Sequence, residues 1–216
     1  MTETSLFGWH PHPDPDPAAN DHTMLTLDGD LTRPVAALMC MIAGAPPGTP
    51  AFWTTYVTVT DVDATAEVVR EAGGRVFIGP MDAKRLGRFA LLFDPWNAVI
   101  GLWQPADFHG AGVMGVPNSY CWSELAVDDA EAAKAFYGTV LPHAPEQIVQ
   151  ATQGPSRWTA CFAVTDCGAT ASRAADLGGT VLTPPRETPD GQTALLMDSQ
   201  GAHFAIYART AERGQP

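Results

Sequence analysis

The sequence is poor in positive charge. It has 12 Lys and Arg side chains against 24 Asp and Glu, a formal net charge of −12. A nucleic-acid-binding surface needs clustered Lys and Arg to replace the counterions of the phosphates, and no such cluster occurs. We therefore expect no nucleic-acid partner. The negative charge suits a neutral or cationic small ligand, although acidity also serves solubility alone.

Cysteine pairs with metal-binding spacing are also missing. The four cysteines form no Cys-x-x-Cys motif, and most of them stand in apolar runs typical of buried thiols. The longest apolar stretch, residues 35–45, is too short to cross a bilayer. The first residues show no basic segment followed by an apolar one, so no signal peptide is expected. These absences predict a reduced, cytoplasmic protein with no membrane partner.

A repeated segment is the strongest positive signal. When the sequence is shifted by 105 positions, residues 53–80 fall on residues 158–185 with 12 of 28 pairs identical, where chance gives about two. One residue is then dropped, and the match continues at an offset of 104. Such a duplication predicts a pseudo-symmetric fold with a ligand site where the repeated sheets face inward.

Each full copy is predicted to be a βαβββ unit. Alternating aromatic and β-branched residues indicate a strand over residues 53–59, and apolar residues at spacings of three and four indicate a helix that Gly73-Gly74 ends. Strands follow at residues 76–78, 88–93 and 98–103. The second copy repeats this order over residues 158–207. The predicted fold class is α+β, with repeated βαβββ units forming curved mixed β-sheets and helices outside.

Two further units look incomplete. Residues 22–27 and 34–42 are predicted strands near the N-terminus without a preceding βα pair. Before them, residues 7–10 resemble a strand start and residues 5–9 resemble the tail of a helix. The run at residues 10–17 is interpreted as a stiff extended loop, because proline is a poor strand former. Residues 120–141 form a βα start without three following strands. We predict an N-terminal half at residues 1–113 and a C-terminal half at 114–216, and the split unit is completed either within the chain or in a homodimer.

These motifs identify a family resemblance. The segments that carry it are Trp122-Ser123-Glu124-Leu125, Ala132-Ala133-Lys134-Ala135-Phe136-Tyr137-Gly138, Thr60-Asp61-Val62-Asp63-Ala64 and Gly101-Leu102-Trp103-Gln104-Pro105. The chain resembles the vicinal oxygen chelate superfamily, also called the glyoxalase/bleomycin-resistance/dioxygenase superfamily, and is most similar to two-domain actinobacterial glyoxalase-like members. The resemblance implies a cup-shaped sheet but no single reaction, since the superfamily includes isomerases, dioxygenases and binding proteins.

The resemblance also implies where a metal would be held. In metal-dependent members the ligands lie on the first and last strands of a unit. Here the last-strand positions are Gly101 and Ala205, which cannot bind a metal, and the first-strand region offers Tyr56, Cys161 and Glu124. A divalent ion needs several oxygen or nitrogen ligands. A metal cofactor is possible but not supported, and we expect none.

Glu124 is the best single polar candidate. It lies in an apolar strand, where a carboxylate costs free energy unless it is paired or faces a ligand. It is either a catalytic base or ligand anchor, or a hydrogen-bonded carboxylate at a strand edge. His10 and His12 are two residues apart and would share one face of a strand, but their proline-rich setting favours a solvated loop.

Aromatic side chains on predicted strands complete the candidate site. Aromatic pairs contribute about 0.5–1.5 kcal/mol beyond their burial, and such a cup can hold a flat ligand; core packing is the alternative for each residue. The candidate ligand-binding residues are Trp53, Tyr56, Trp103, Trp122, Trp158, Phe162 and Tyr207.

Two functions remain open from the sequence. The first is binding of a small aromatic or hydrophobic molecule, such as a natural product or antibiotic. The second is a glyoxalase-like lyase, isomerase or dioxygenase, either metal-assisted or with Glu124 as the base.

Overall fold

The computed structural model describes most of the chain. The described residues are 3–16, 22–40, 51–143, 145, 147–151 and 154–210. Residues 41 and 42, the end of one predicted strand, lie outside these ranges. No helix among the described residues is long and apolar enough to cross a membrane.

The helices and strands of the two full copies follow the order that the repeat predicts. The helices are α1 (Glu3–Phe7), α2 (Val62–Glu71), α3 (Ala130–Val140) and α4 (Cys167–Asp176). The strands are β1 (His10–Pro13), β2 (Thr23–Thr26), β3 (Pro34–Leu38), β4 (Tyr56–Thr58), β5 (Arg75–Ala83), β6 (Gly87–Phe93), β7 (Val99–Pro105), β8 (Tyr120–Val127), β9 (Ile148–Gln150), β10 (Arg157–Ala163), β11 (Thr180–Thr188), β12 (Gly191–Met197) and β13 (His203–Arg209).

Both full copies are βαβββ units. In the first, β4 pairs in parallel with β7 and the sheet has the order β4-β7-β6-β5. In the second, β10 pairs in parallel with β13, and the sheet order is β11-β12-β13-β10-β8-β9. The remaining sheet has the order β1-β2-β3. The α+β class with curved mixed sheets is therefore confirmed.

Aspartate side chains cap the starts of three helices, and glycines follow the ends of two of them. Asp61, Asp129 and Asp166 are N-caps, and their carboxylates accept from backbone N–H groups three residues ahead at 2.9–3.0 Å. Gly73 and Gly178 follow α2 and α4 with φ of 92° and 87°, a conformation that glycine adopts at little cost.

The N-terminal segment corrects two predictions. The proline-rich run is not simply a loop, because His10–Pro13 forms β1, which pairs with β2. β1 lies at the edge of its sheet, where a proline that cannot donate a hydrogen bond is tolerated. The residues before it form α1 rather than a strand start, which agrees with the alternative of a helix tail.

Two other strands continue through proline residues. The predicted strand 76–78 continues through Gly79-Pro80 as β5, and its counterpart continues through Pro184 and Pro185 as β11. Both are edge strands, and their pairing shows register shifts at these points. A bulge on an edge strand accommodates a residue without an N–H donor.

The chain divides into two compact units, each drawn from separate stretches of sequence. Unit 1 comprises residues 1–53, 111–122 and 160–216, and unit 2 comprises residues 54–110 and 123–159. The halves 1–113 and 114–216 describe the order of the repeats along the chain and stay a prediction. The compact units are divided differently, since each contains segments from both halves.

Each unit has its own core. In unit 1, Leu25 and Val35 of the N-terminal strands share a buried cluster with Phe162, Phe204 and Ala171. In unit 2, α3 shares a buried cluster with α2 and with strands β6 and β7. The split unit is thus divided between the two cores: the N-terminal strands and Tyr120 pack in the unit 1 cluster, whereas α3 packs in the unit 2 cluster. Its completion within the chain or in a homodimer stays a prediction.

Candidate ligand site

The positions where metal-dependent relatives hold their ion are directly paired in both copies. Tyr56 of β4 lies opposite Gly101 of β7, and Cys161 of β10 lies opposite Ala205 of β13. Glycine and alanine supply no donor side chain. No group of three or more His, Cys, Asp or Glu that could hold a metal occurs among the described residues. These residues do not fit a divalent-metal site, and the expectation that no metal is bound stays a prediction.

In unit 2, glycine makes room for an aromatic ring at this position. A Cβ atom on Gly101 would lie 2.3 Å from Cδ1 of Tyr56, so the Tyr56 ring lies against the backbone of β7. Gly87 plays the same role for Trp103, since a Cβ there would lie 2.6 Å from the indole ring. The sheet thus carries the Tyr56 ring at a position that the family resemblance marks for a metal ligand.

These rings lie on the face of the sheet opposite α2. Ala90, Leu92 and Leu102 are buried in the same cluster as Val62 and Val69 of α2, so they point towards the helix. Side chains alternate along a strand. Phe89 and Trp103, which are direct neighbours across β6 and β7, therefore point the other way.

Four rings form a continuous surface there, which we name the aromatic patch: Tyr56, Phe89, Trp103 and Phe108. Tyr56 contacts Phe89 and Trp103 edge to face at centroid distances of 6.4 and 6.2 Å, and Trp103 contacts Phe108 at 6.0 Å. Tyr56 is 41% exposed, and the other three rings are half-buried. The patch is therefore both ordered by mutual contact and open to a ligand.

The patch contains two polar groups, the indole N–H of Trp103 and the hydroxyl of Tyr56. The indole N–H of Trp103 donates to the Phe108 carbonyl at 2.9 Å, which locks the orientation of the ring. Burial of the hydroxyl raises the pKa of Tyr56 to about 12. The phenol therefore stays neutral at physiological pH and can donate a hydrogen bond.

Glu124 lies on β8, where buried and half-buried residues alternate. Ser123, Leu125 and Val127 are buried, whereas Trp122 and Glu124 are half-buried and share the opposite face. Within the described part of the chain, Glu124 makes no hydrogen bond or ion pair. The unit boundary falls after Trp122, so Trp122 belongs to unit 1 and Glu124 to unit 2.

Trp158 is a core residue in the structure. It is 8% exposed, and its indole N–H donates to the Tyr137 hydroxyl at 2.9 Å. That hydroxyl donates to Asp94 at 2.8 Å, and Asp94 also accepts from the backbone N–H groups of Trp96 and Ala98. We name Trp158, Tyr137 and Asp94 the polar relay. Burial raises the pKa of Asp94 against the opposing effect of these hydrogen bonds.

The remaining predicted aromatic residues lie in unit 1. Phe162 is 2% exposed and stacks edge to face with Trp9 and Trp53 at 5.5 and 5.0 Å, so it offers no surface to a ligand. Trp53 precedes β4 rather than lying on it. Trp122 and Tyr207 are half-buried and contact each other at 4.7 Å, and the Tyr207 hydroxyl donates to the Asp190 carbonyl.

Two rings of the aromatic patch are not among the residues predicted from sequence. These rings are Phe89 and Phe108. Phe89 shares one strand face with Gly87 and Leu91, and this spacing of two residues is the sequence signal that could have identified it. The histidine pair does not gather metal ligands, since the His12 ring is hydrogen-bonded to the Thr26 hydroxyl at 3.0 Å.

The chain is similar to curated proteins over nearly its whole length. The family model of the "Glyoxalase/Bleomycin resistance protein/Dioxygenase superfamily" matches residues 4–102. "Anthracycline biosynthesis protein DnrV" of Streptomyces peucetius is 37% identical over 234 residues, covering 94% of this chain and 85% of the relative. "Putative glyoxylase CFP32" of Mycobacterium tuberculosis is 36% identical over 228 residues, covering 94% and 86%.

Solved structures of low sequence identity share the fold. The 2,3-dioxygenase LapB from Pseudomonas sp. KL28 superposes with a TM-score of 0.58 at 11% identity, covering 97% of this chain and 88% of that one. The Mn(II)-bound glyoxalase from Novosphingobium aromaticivorans gives 0.54 at 13% identity, covering 95% and 77%. At these identities the likeness concerns the fold alone.

Proposed function

Because the chain belongs to the glyoxalase/bleomycin resistance protein/dioxygenase superfamily, we propose that it binds a flat aromatic small molecule on the helix-free face of the sheet in unit 2. The observation that carries this proposal is the Tyr56 ring lying over Gly101. An aromatic platform takes the position that a metal ligand would need.

The chemistry of the patch sets the class of ligand. Edge-to-face rings present both ring faces and ring edges, and an aromatic ligand can stack on them. The neutral Tyr56 hydroxyl can donate to a quinone or phenol oxygen. A hydroxylated polycyclic aromatic compound satisfies both features. The name of the Streptomyces relative, an anthracycline biosynthesis protein, supports the same class.

Replacing Trp103 with alanine should weaken binding of 1,4-dihydroxyanthraquinone about tenfold, since stacking on one aromatic side chain is worth about 1–3 kcal/mol. Isothermal titration calorimetry measures the dissociation constants. Phe52→Ala is the control, because Phe52 is also 41% exposed but lies outside the patch; it should bind like wild type. Equal affinities in wild type and Trp103→Ala would contradict the assignment.

Glu124 supports a second candidate, the metal-independent form of a glyoxalase-like lyase or isomerase. A half-buried carboxylate without a partner in the described part of the chain is available either as a base or as an anchor for a cation. Proton abstraction beside a carbonyl is the step that such a base would perform.

Glu124→Gln separates these roles. For an anchor, the variant should weaken an aminoalkyl-substituted anthraquinone by roughly 1–3 kcal/mol and leave the neutral parent compound unchanged. Calorimetry with both compounds gives the comparison. If both compounds bind Glu124→Gln as they bind wild type, Glu124 is not an anchor. Turnover of a 2-oxoaldehyde–thiol adduct that disappears in the same variant would favour the enzyme.

A further inference from the structure

Two thiols of unit 1 lie beside each other in the sheet. All four cysteines fall within the described residues, and each is a thiol rather than half of a disulfide. Cys121 belongs to β8 and Cys161 to β10, and these two strands are hydrogen-bonded neighbours. The two residues are 40 positions apart in the sequence, so strand pairing rather than a short motif brings them together.

The strand register makes the two cysteines cross-strand neighbours. The N–H of Ala163, at the end of β10, donates to the carbonyl of Ser119, just before β8, at 2.8 Å. The end of one strand therefore meets the start of the other, which is an antiparallel arrangement. Two residues further along β8 and two residues back along β10, Cys121 lies opposite Cys161. Opposed residues have Cα atoms about 4.5–5.5 Å apart, within the range of about 4.4–6.8 Å that a disulfide spans.

The two side chains also contact each other. The Cys121 thiol donates to the Cys161 carbonyl, with the Sγ and oxygen atoms 3.1 Å apart. The Cys161 side chain in turn hydrogen-bonds to the Cys121 thiol, and this bond lowers the pKa of Cys121 although burial opposes the shift. A lowered pKa increases the fraction of thiolate, which is the nucleophilic form of cysteine.

Burial gives the two thiols different roles. Cys121 is half-buried, whereas Cys161 is 2% exposed. A small oxidant in solution therefore reaches Cys121 first, and Cys161 is placed to react with the oxidised sulfur. An accessible thiol of lowered pKa next to a second thiol is typical of redox-sensing cysteines. Cys167 differs, because its thiol donates to the Gln192 carbonyl at 3.3 Å and burial raises its pKa.

The thiol pair lies where the first copy of the repeat carries a ring of the aromatic patch. Under the offset of 105 positions that relates the two copies, Cys161 corresponds to Tyr56. Each of them pairs with a small residue on the last strand of its unit, Ala205 for Cys161 and Gly101 for Tyr56. The two copies therefore offer different chemistry at equivalent positions of their sheets.

We infer that Cys121 and Cys161 form a reversible oxidation site, which a hydroperoxide converts into a cross-strand disulfide. The Cys121 thiolate attacks one peroxide oxygen, which breaks the O–O bond, gives a sulfenic acid at Cys121 and releases an alcohol that takes the thiol proton. The Cys161 thiol then attacks the Cys121 sulfur, and the S–S bond replaces the S–O bond as water leaves. Two thiols are thereby oxidised to one disulfide, and the hydroperoxide is reduced to an alcohol and water.

Peptide mapping of the wild-type protein tests the site without a variant. The reduced protein is treated with a stoichiometric amount of hydrogen peroxide, denatured in acid, alkylated and digested without reduction. We expect a cross-linked peptide pair that contains Cys121 and Cys161, and recovery of both thiols after treatment with dithiothreitol. Full alkylation of both residues after peroxide, or a disulfide that forms through Cys40 instead, would overturn the proposal.

Serine variants test the order of the two steps. In Cys161→Ser the second step is blocked, so the sulfenic acid at Cys121 should persist and be trapped by dimedone. In Cys121→Ser the buried Cys161 should keep its thiol. Cys40→Ser removes an exposed thiol outside the pair and should form the disulfide like wild type. With folding verified by circular dichroism, the absence of a dimedone adduct at Cys121 in Cys161→Ser would contradict its role as the first thiol to react.

Discussion

Replacing Tyr137 with phenylalanine should lower the free energy of unfolding by about 2–4 kcal/mol, because the buried indole N–H of Trp158 and one buried carboxylate oxygen of Asp94 each lose their hydrogen-bond partner at about 1–3 kcal/mol. The hydroxyl of Tyr137 accepts from the Trp158 indole and donates to Asp94, and these residues are 1%, 8% and 3% exposed. Urea denaturation followed by circular dichroism measures the change.

Tyr56→Phe is the matched control, because the same hydroxyl is removed from a residue that is 41% exposed. It should change stability by less than about 0.5 kcal/mol. A Tyr137→Phe variant as stable as Tyr56→Phe would show that the polar relay does not stabilise unit 2.

The loss of stability caused by Tyr137→Phe should also depend on pH. Burial raises the pKa of Asp94 in the folded state, and the Tyr137 hydrogen bond opposes this rise by stabilising the ionised form. Because the pKa of Asp94 is higher in the folded state, ionising Asp94 lowers the stability of the folded protein. The stability is therefore greatest at pH values below the unfolded-state pKa, and part of it is lost as the pH rises through the folded-state pKa. Without the Tyr137 hydroxyl, the ionised form of Asp94 is stabilised less, so this loss of stability is larger. The difference in the free energy of unfolding between wild type and Tyr137→Phe should therefore become smaller as the pH is lowered and Asp94 is protonated.

Gly191→Ala should destabilise the protein by about 1–3 kcal/mol, the cost of overpacking a closely packed site. A Cβ atom at residue 191 would lie 2.2 Å from the Ala208 carbonyl oxygen, and a backbone atom of the neighbouring strand cannot rotate away. Gly87 holds the equivalent position in the first copy, with the Gln104 carbonyl at 2.5 Å. Both copies therefore require glycine at the start of this strand.

Gly138→Ala makes the same chemical change with the opposite expected sign. Residue 138 lies in α3, and a Cβ there would meet nothing within 4 Å. Alanine is the better helix former by about 0.5–1 kcal/mol, so this variant should be more stable than wild type. Urea midpoints of the two variants give the comparison, and a Gly191→Ala midpoint at or above wild type would contradict the close approach.

The predictions from sequence succeeded where the determinants are local. Apolar spacing in α2 and the glycines after it act within a few residues, so the βαβββ order was predictable. The polar relay was not, since its members are 43 and 21 positions apart and only tertiary packing joins them. Likewise, alternation along β10 assigns Phe162 to a face without revealing that the face is covered, which is why a core residue appeared among the ligand candidates.

The candidate site was likewise predictable from sequence only in part. Gly101 was identified from sequence as unable to bind a metal, and the structure adds that the Tyr56 ring lies against it. Trp103 and Tyr56 were predicted, whereas Phe108 joined them through a loop whose path no periodicity indicates.

The prolines in the outer strands bear on how the protein resists aggregation. An edge strand ordinarily offers a row of backbone donors and acceptors on which another chain can add, and this is how sheets grow into fibrils. Here β1 carries Pro11 and Pro13, β5 carries Pro80, and β11 carries Pro184 and Pro185. Each interrupts the donor row on one outer edge of its sheet. The opposite edges are β3, β4 and β9, so a homodimer that extended one of these sheets would have to pair through one of those strands rather than through β1, β5 or β11.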